Sequence, residues 1–209
     1  MDAEYSTDHS RVYEDFVRDL RYCESYPDIC YPNEYDNQEV IKLCCSQHKG
    51  FISEKRQKEI TASWIDFLSK NTLPLKEVQV CTKLNQGVFD ALCTQTSLQS
   101  LRIKWFSGKS IEQISKLQNL KKLFIENGSS IEVIYPISKL KKLEVLILGE
   151  TVKVDDYSCL SELSSLRVLG ICAYQTHYNK KIKMKSTEFI KTMDSLEYVD
   201  IQDVVIVNQ

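Results

Sequence analysis

The sequence predicts an α/β protein: a solenoid of stacked coils, each a short strand and a turn of helix, behind an α-helical N-terminal cap. Two observations carry this. The stretch ISKLQNLKKLFI at residues 114–125 returns as ISKLKKLEVLIL at 137–148, with an aliphatic residue at nearly every third position in both. The pattern L-x-x-L-x-I recurs in register at Leu75, Val78, Val80; Leu98, Leu101, Ile103; Leu120, Leu123, Ile125; Leu143, Leu146, Leu148; Leu166, Leu169, Ile171; and Leu196, Val199, Ile201, its starts spaced 23, 22, 23, 23 and 30. A fixed period of this length marks an array of stacked units, each too small to bury its apolar face alone.

In chain order, RVYEDFVRDLRYCESY at 11–26 sets Val12, Phe16, Leu20 and Cys23 on one face of an amphipathic helix, with charges largely opposite. YPDICYPNEYDN carries two prolines and several turn formers and is predicted as a loop. EVIKLCC alternates Ile41, Leu43 and Cys45, as a first strand ahead of the repeats does. A second helix is predicted from Glu54 to Lys70, with Ser53 as N-cap and Ile60, Trp64, Phe67 and Leu68 facing inward. Residues 1–72 are therefore read as the cap and 73–209 as the solenoid, with about six coils and an insertion near 174–187.

Within the solenoid, the end of each motif alternates as a short strand with one buried face. Upstream of the third, fourth and fifth motifs run Ile111, Ile114, Leu117; Ile131, Ile134, Ile137, Leu140; and Val154, Tyr157, Leu160, Leu163. Steps of three keep one side apolar in a 3₁₀-like turn, and three such steps also suit an α-helix, so both windings remain open for the return path. VVIVNQ at the end is apolar enough for a last strand or a flap over the edge of the sheet.

These features resemble the leucine-rich repeat family, in its short subclass of about 22 residues found largely in intracellular proteins. The resemblance covers residues 73–203. It implies a right-handed solenoid with a parallel sheet on the concave side and helices or 3₁₀ turns on the convex side. It also implies a non-enzymatic scaffold, recognition subunit or inhibitor, an immunity protein included. One feature departs from the family: its usual Asn or Cys, eight positions after the first leucine, is here Lys83, Phe106, Gly128, Thr151, Tyr174 and Val204, with Asn127 one position early. The peptide groups of these loops must find other partners.

Composition narrows the function. A net charge of −2 conceals an acidic front, with eleven Asp/Glu and three Arg in residues 1–40, and a basic body. The polar, acidic start is unlike a secretory signal, and no run approaches the ~20 apolar residues of a membrane span, so a cytoplasmic protein is expected. The eight cysteines lack a metal-type C-x-x-C pair; buried thiols filling tight space are expected, as with adjacent Cys44 and Cys45 and with Cys159 inside the repeat. His9, His48 and His177 are isolated, and SGKS at 107–110 has Ile103 where a phosphate-binding loop needs glycine. No cofactor or metal is expected. An enzyme would need a cysteine such as Cys81, Cys93 or Cys172 to meet a distant base.

The residues between the buried leucines point to the concave side. Phe124, Val145, Ile147 and Val168 are predicted to form one apolar strip, flanked by Arg102, Lys104, Lys122 and Glu126. An apolar patch with a charged rim suits a protein partner, with Phe124 as anchor and Arg102 and Trp105 as companions. Two alternatives stand beside this. The acidic front or the insertion could fold over the strip, and Lys180, Lys181, Lys183 and Lys185 could hold an anionic ligand, nucleic acid being a weak match without arginines.

Overall fold

The computed structural model describes residues 26–46, 52–173 and 181–207. The predicted helix at 11–26 lies outside them except for Tyr26. Among the described residues, eight strands form one sheet: β1 (Asp28–Ile29), β2 (Val40–Leu43), β3 (Glu77–Leu84), β4 (Ser100–Phe106), β5 (Lys122–Ile125), β6 (Val145–Gly149), β7 (Val168–Cys172) and β9 (Tyr198–Ile201). Every pairing is parallel, and the order along the sheet is the order along the chain. A second, two-stranded sheet pairs β8 (Ile182–Met184) with β10 (Val204–Ile206).

Alternation decides which side is core. Leu101 and Ile103, Leu123 and Ile125, Leu146 and Leu148, and Leu169 and Ile171 are all 0% exposed. The return paths resolve the choice of winding. In the last four coils they are 3₁₀ helices, at Glu112–Lys116, Tyr135–Lys139, Ser158–Glu162 and Glu188–Thr192. The amide of Ile114 donates to Ile111, that of Leu117 to Ile114 and that of Leu120 to Leu117; the same three-step ladder runs from Ile134 through Ile137 and Leu140 to Leu143. Each inward residue thus donates to the inward residue three before it, which is why the apolar period is three. The earlier coil returns through a short α-helix, α2 (Gln86–Leu92), capped by the Asn85 carboxamide on the amide of Val88.

The helix predicted at 54–70 is α1 (Glu54–Lys70), with the Ser53 hydroxyl accepting from the Arg56 amide and Ile60, Trp64 and Leu68 buried; Phe67 is only partly buried against the core. The first strand predicted around Ile41 is β2. Three expectations need correction. The segment read as a loop contains β1 and a 3₁₀ turn (Pro32–Glu34), because Ile29 is buried beside Leu43 in register. The insertion contains β8, whose Ile182 and Met184 are fully buried. Val199 of the sixth motif is 37% exposed, since no described coil stacks beyond β9 to cover it.

The loops lacking the family asparagine are satisfied by a mixed set. Backbone bonds continue past the strands, from Phe106 to Asn127, Ser107 to Leu84 and Gly128 to Gly149. Hydroxyls of Ser107 and Ser130 donate to Leu84 and Phe106 carbonyls, and the Gln86 carboxamide accepts from the amides of Lys109 and Ser110. Phe106 fills its coil with carbon instead, packing edge-on against Phe89 at 4.9 Å between centroids.

Because each coil hides its ladder only against its neighbours, a void in a middle coil is felt along the stack. Leu120 and Leu143 are fully buried. Leu120→Ala and Leu143→Ala are each expected to cost about 2 to 5 kcal/mol, read as a lower denaturant midpoint; unchanged midpoints would contradict this core.

Candidate functional site

The face of the sheet opposite the core carries the candidate site. Strand register lays out its rows. Lys42, Gln79, Arg102, Phe124, Ile147, Gly170 and Asp200 are neighbours across seven strands; Val40, Glu77, Ser100, Lys122, Val145, Val168 and Tyr198 form a second row. Parallel neighbours lie about 4.8 Å apart, so residues 22 to 37 apart in sequence touch side by side.

The predicted strip is contiguous. Phe124, Ile147 and Val168 form a cluster of their own, separate from the core, with Val145 and Tyr198 packed against it. Gly170 makes room for it: a Cβ there would stand 2.7 Å from Ile147 Cδ1. Tyr198 was not singled out from sequence; the signal was its place in the sixth motif, two residues after Leu196, which Val145 and Val168 occupy in theirs.

The charged rim is spent on the strip itself. Arg102 Nε donates to Glu126 Oε1 at 2.7 Å, with a second 2.7 Å contact from its terminal nitrogen, and the guanidinium sits 5.4 Å from the Phe124 ring centroid. This pair is well buried, with side-chain exposures of 7% and 18%. Lys104 is exposed, and Lys122 is partly buried. Trp105 lies apart from Phe124: register shifts between Val80 and Lys83, which pairs Trp105 with Lys83, and the Lys83 ammonium lies 4.7 Å from the Trp105 ring. Trp105 is 43% exposed at the strand end.

The strip is also closed. Phe124, Ile147 and Val168 are 3%, 4% and 6% exposed, whereas in-register neighbours shield only the flanks of a side chain on a sheet face. The main packing among described elements joins sheet neighbours, successive convex turns, α1 with α2 and with the Pro32–Glu34 turn, and α2 with the turn after it. None of these lies over this face. Lys42, Gln79, Arg102, Lys122, Tyr198 and Asp200, spread across it, each make interactions beyond those named above.

The alternative sites are less assembled. Lys185 is paired with Asp155 at 3.2 Å, and Lys181 and Lys183 are exposed on either side of buried Ile182; Lys180 and the three histidines lie outside the described residues. Cys93 and Cys172 are buried, and burial pushes the Cys93 thiol well above its ordinary range. Among the described residues, no group of three His, Cys, Asp or Glu is placed to hold a metal, and no helix is long and apolar enough to cross a membrane.

Comparison with known proteins agrees with this architecture. No curated protein sequence matches the chain. The Arabidopsis receptor kinase HAESA ectodomain, solved in complex with an N-terminally extended IDA peptide hormone, superposes with a TM-score of 0.56 at 14% identity, over 86% of this chain and 29% of that one. The internalin inlF of Listeria monocytogenes gives 0.49 at 16% identity, over 69% and 52%, and inlC2 of the same organism 0.47 at 18%, over 65% and 64%. The chain thus spans about half of inlF and under two thirds of inlC2. The family described as R13L1/DRL21 LRRs matches residues 39–151, more than half of the sequence and all of the strands from β2 to β6. With its stacked parallel strands and its three-step return turns, the chain belongs to the leucine-rich repeat proteins, in the R13L1/DRL21 family.

Proposed function

We propose that this chain is a non-enzymatic protein-interaction module that takes a protein partner on its concave sheet, with Phe124 as the anchor. The observation that supports this most directly is the second apolar cluster, Phe124, Ile147, Val168, Val145 and Tyr198, on the side of the sheet that is not the core. Apolar side chains on that side are stabilised when another surface covers them. The peptide-bound HAESA structure is consistent with a polypeptide ligand for a fold of this kind.

The closure of the strip favours one refinement. We propose that the acidic front of the sequence and a partner compete for this face. Residues 1–25 carry seven carboxylates against three arginines, together with Val12, Phe16 and Leu20; on the face, Lys104 and Lys122 are the cations outside the Arg102–Glu126 and Lys42–Asp28 pairs. At up to ~3.3 Å per residue, this length of chain reaches easily from β1 to β7.

The test compares capture from a native lysate by the wild type and by a Phe124→Asp, Ile147→Asp double variant shown by circular dichroism to remain folded. A partner held by the first and lost by the second supports the reading; equal capture excludes the strip. Loss of an anchor should cost about 2 kcal/mol or more, roughly thirtyfold in affinity, with little dependence on salt. An anionic ligand on the lysines would instead dissociate steeply as salt rises. Truncation of residues 1–25 should raise hydrophobic-dye fluorescence, and unchanged fluorescence would exclude the front as the cover.

A further inference from the structure

Three cysteines far apart in the sequence stand in one row at the N-terminal end of the sheet. Ile29 pairs with Leu43, and Leu43 with Val80, so the residues that follow, Cys30, Cys44 and Cys81, are neighbours on β1, β2 and β3 or just beyond them. The Cys44 amide donates to the Ile29 carbonyl at 3.0 Å, holding the first two strand ends together. Ile29, Leu43 and Val80 are buried in the core. Alternation therefore turns the three thiols to the other side, where all are free and only partly buried. Cys44 thus has Cys30 as its neighbour on one side and Cys81 on the other.

This corrects the reading of Cys44 and Cys45 as a pair of space-filling thiols. Cys45 is buried, its sulfur 3.8 Å from the Thr82 hydroxyl, but the residue before it faces outward.

Spacing decides what the row can do. Neighbouring strands are about 4.8 Å apart, within the ~4.4 to 6.8 Å between Cα atoms that a disulfide spans. Cys30 and Cys81 are two strands apart, about 9.6 Å by the same spacing, beyond a disulfide's reach. The row therefore supports one bond at a time, always through Cys44.

We propose that Cys44 and Cys81 are a reversible redox pair, oxidised to a disulfide by hydroperoxides, with Cys30 as the exchanging thiol. The surroundings assign the roles. Cys81 is held below its ordinary pKa, first by the hydrogen bond from Cys44 and then by the positive fields of Lys42 and Lys104. Cys44 is pushed up, by that same hydrogen bond and by burial, and burial first of all raises Cys30 to about 11. Thiolate thus develops on Cys81. Its sulfur attacks one oxygen of the peroxide; the O–O bond breaks, and the leaving hydroxide takes up a proton as water. The sulfenic acid formed on Cys81 is then attacked by the Cys44 sulfur as Cys44 gives up its proton. The S–S bond forms, the S–O bond breaks, and hydroxide departs with that proton as a second water. Two thiols are oxidised and one hydrogen peroxide is reduced. Cys30 then gives up its proton to water as its sulfur attacks the Cys44 sulfur; the Cys44–Cys81 bond breaks, Cys81 departs as the better leaving thiolate, and the bond moves to Cys30–Cys44.

The experiment treats the reduced full chain with hydrogen peroxide, alkylates the remaining thiols and maps linked peptides by mass spectrometry. Free thiols should fall from the eight in the sequence to six, with a Cys44–Cys81 or Cys30–Cys44 link that a small dithiol reverses. Cys81→Ser should slow disulfide formation about tenfold or more. Cys44→Ser should leave a sulfenic acid on Cys81 that a carbon-acid reagent traps. Thermal unfolding of each variant checks that the strands persist. Links confined to other cysteines, a wild-type rate in Cys81→Ser, or the same link forming as fast in urea would each overturn the proposal.

Discussion

Gly149→Ala is expected to lower stability by about 3 kcal/mol or more, the upper end of what overpacking costs. A Cβ on Gly149 would stand 2.1 Å from the carbonyl oxygen of Glu126, 2.8 Å from its carbonyl carbon and 3.1 Å from its Cα. All three are backbone atoms, so no rotamer change relieves the clash, and β5 and β6 must separate where the Gly128 amide bonds the Gly149 carbonyl at 2.9 Å. The damage reaches the site, because Glu126 holds Arg102 over the Phe124 ring. Gly170→Ala is the control. There the nearest atom, at 2.7 Å, is the tip of the Ile147 side chain, which can rotate, and about 1 kcal/mol is expected. Equal urea midpoints for the two variants would refute this account of the strand contact.

Gln95→Glu is expected to cost about 3 to 5 kcal/mol, since it places a carboxylate in a fully buried site built for a donor. The Gln95 carboxamide is 0% exposed and joins the cap helix to the solenoid. Its nitrogen donates to the carbonyls of Leu68 at 2.7 Å and Asn71 at 2.9 Å, at the C-terminal end of α1, and its oxygen accepts from the Leu73 amide at 2.8 Å. A helix end leaves carbonyls unpaired, and here one side chain from the next coil satisfies them. Glutamate there faces two carbonyl oxygens and binds its proton more tightly folded than unfolded. The folded state then holds more protons, so the deficit relative to wild type grows as pH rises above ~4.3, the value of an unperturbed glutamate. Gln95→Leu removes the bonds without adding charge and should cost about 2 to 4 kcal/mol with no such pH dependence. Denaturation of the three proteins at pH 4 and pH 8 separates these outcomes, and a Glu variant whose deficit is the same at both would show that the site is wetter than its burial implies.

Much of the architecture was legible in one dimension. The inward leucines, the strand at each motif end, the strand around Ile41 and the helix from Glu54 to Lys70 all follow from periods of two, three and 3.6, which belong to short stretches of chain. Where the reading missed, the missing cause was a neighbour. Val199 has the pattern of a core residue, but burial needs a coil beyond it. Trp105 is predicted beside Phe124, but past the register shift in β3 it pairs with Lys83 at the strand end, away from the strip. Asp28 and Ile29 sit among turn formers, and only pairing with Lys42 and Leu43 makes them a strand.

The sequence by itself determined the repeat, its register, and most of the residues that face away from the core, because the parity of a strand and the three-residue step of a 3₁₀ turn are local. Tertiary structure alone decided what those residues meet. The Arg102–Glu126 pair over Phe124, Tyr198 beside Val168, the Gln95 carboxamide at the end of α1 and the row of Cys30, Cys44 and Cys81 all join positions 14 to 37 residues apart. Such contacts exist only once the coils have stacked, since hydrophobic burial between neighbouring coils brings the strands to hydrogen-bonding distance and side chains across the sheet then have no other place to go.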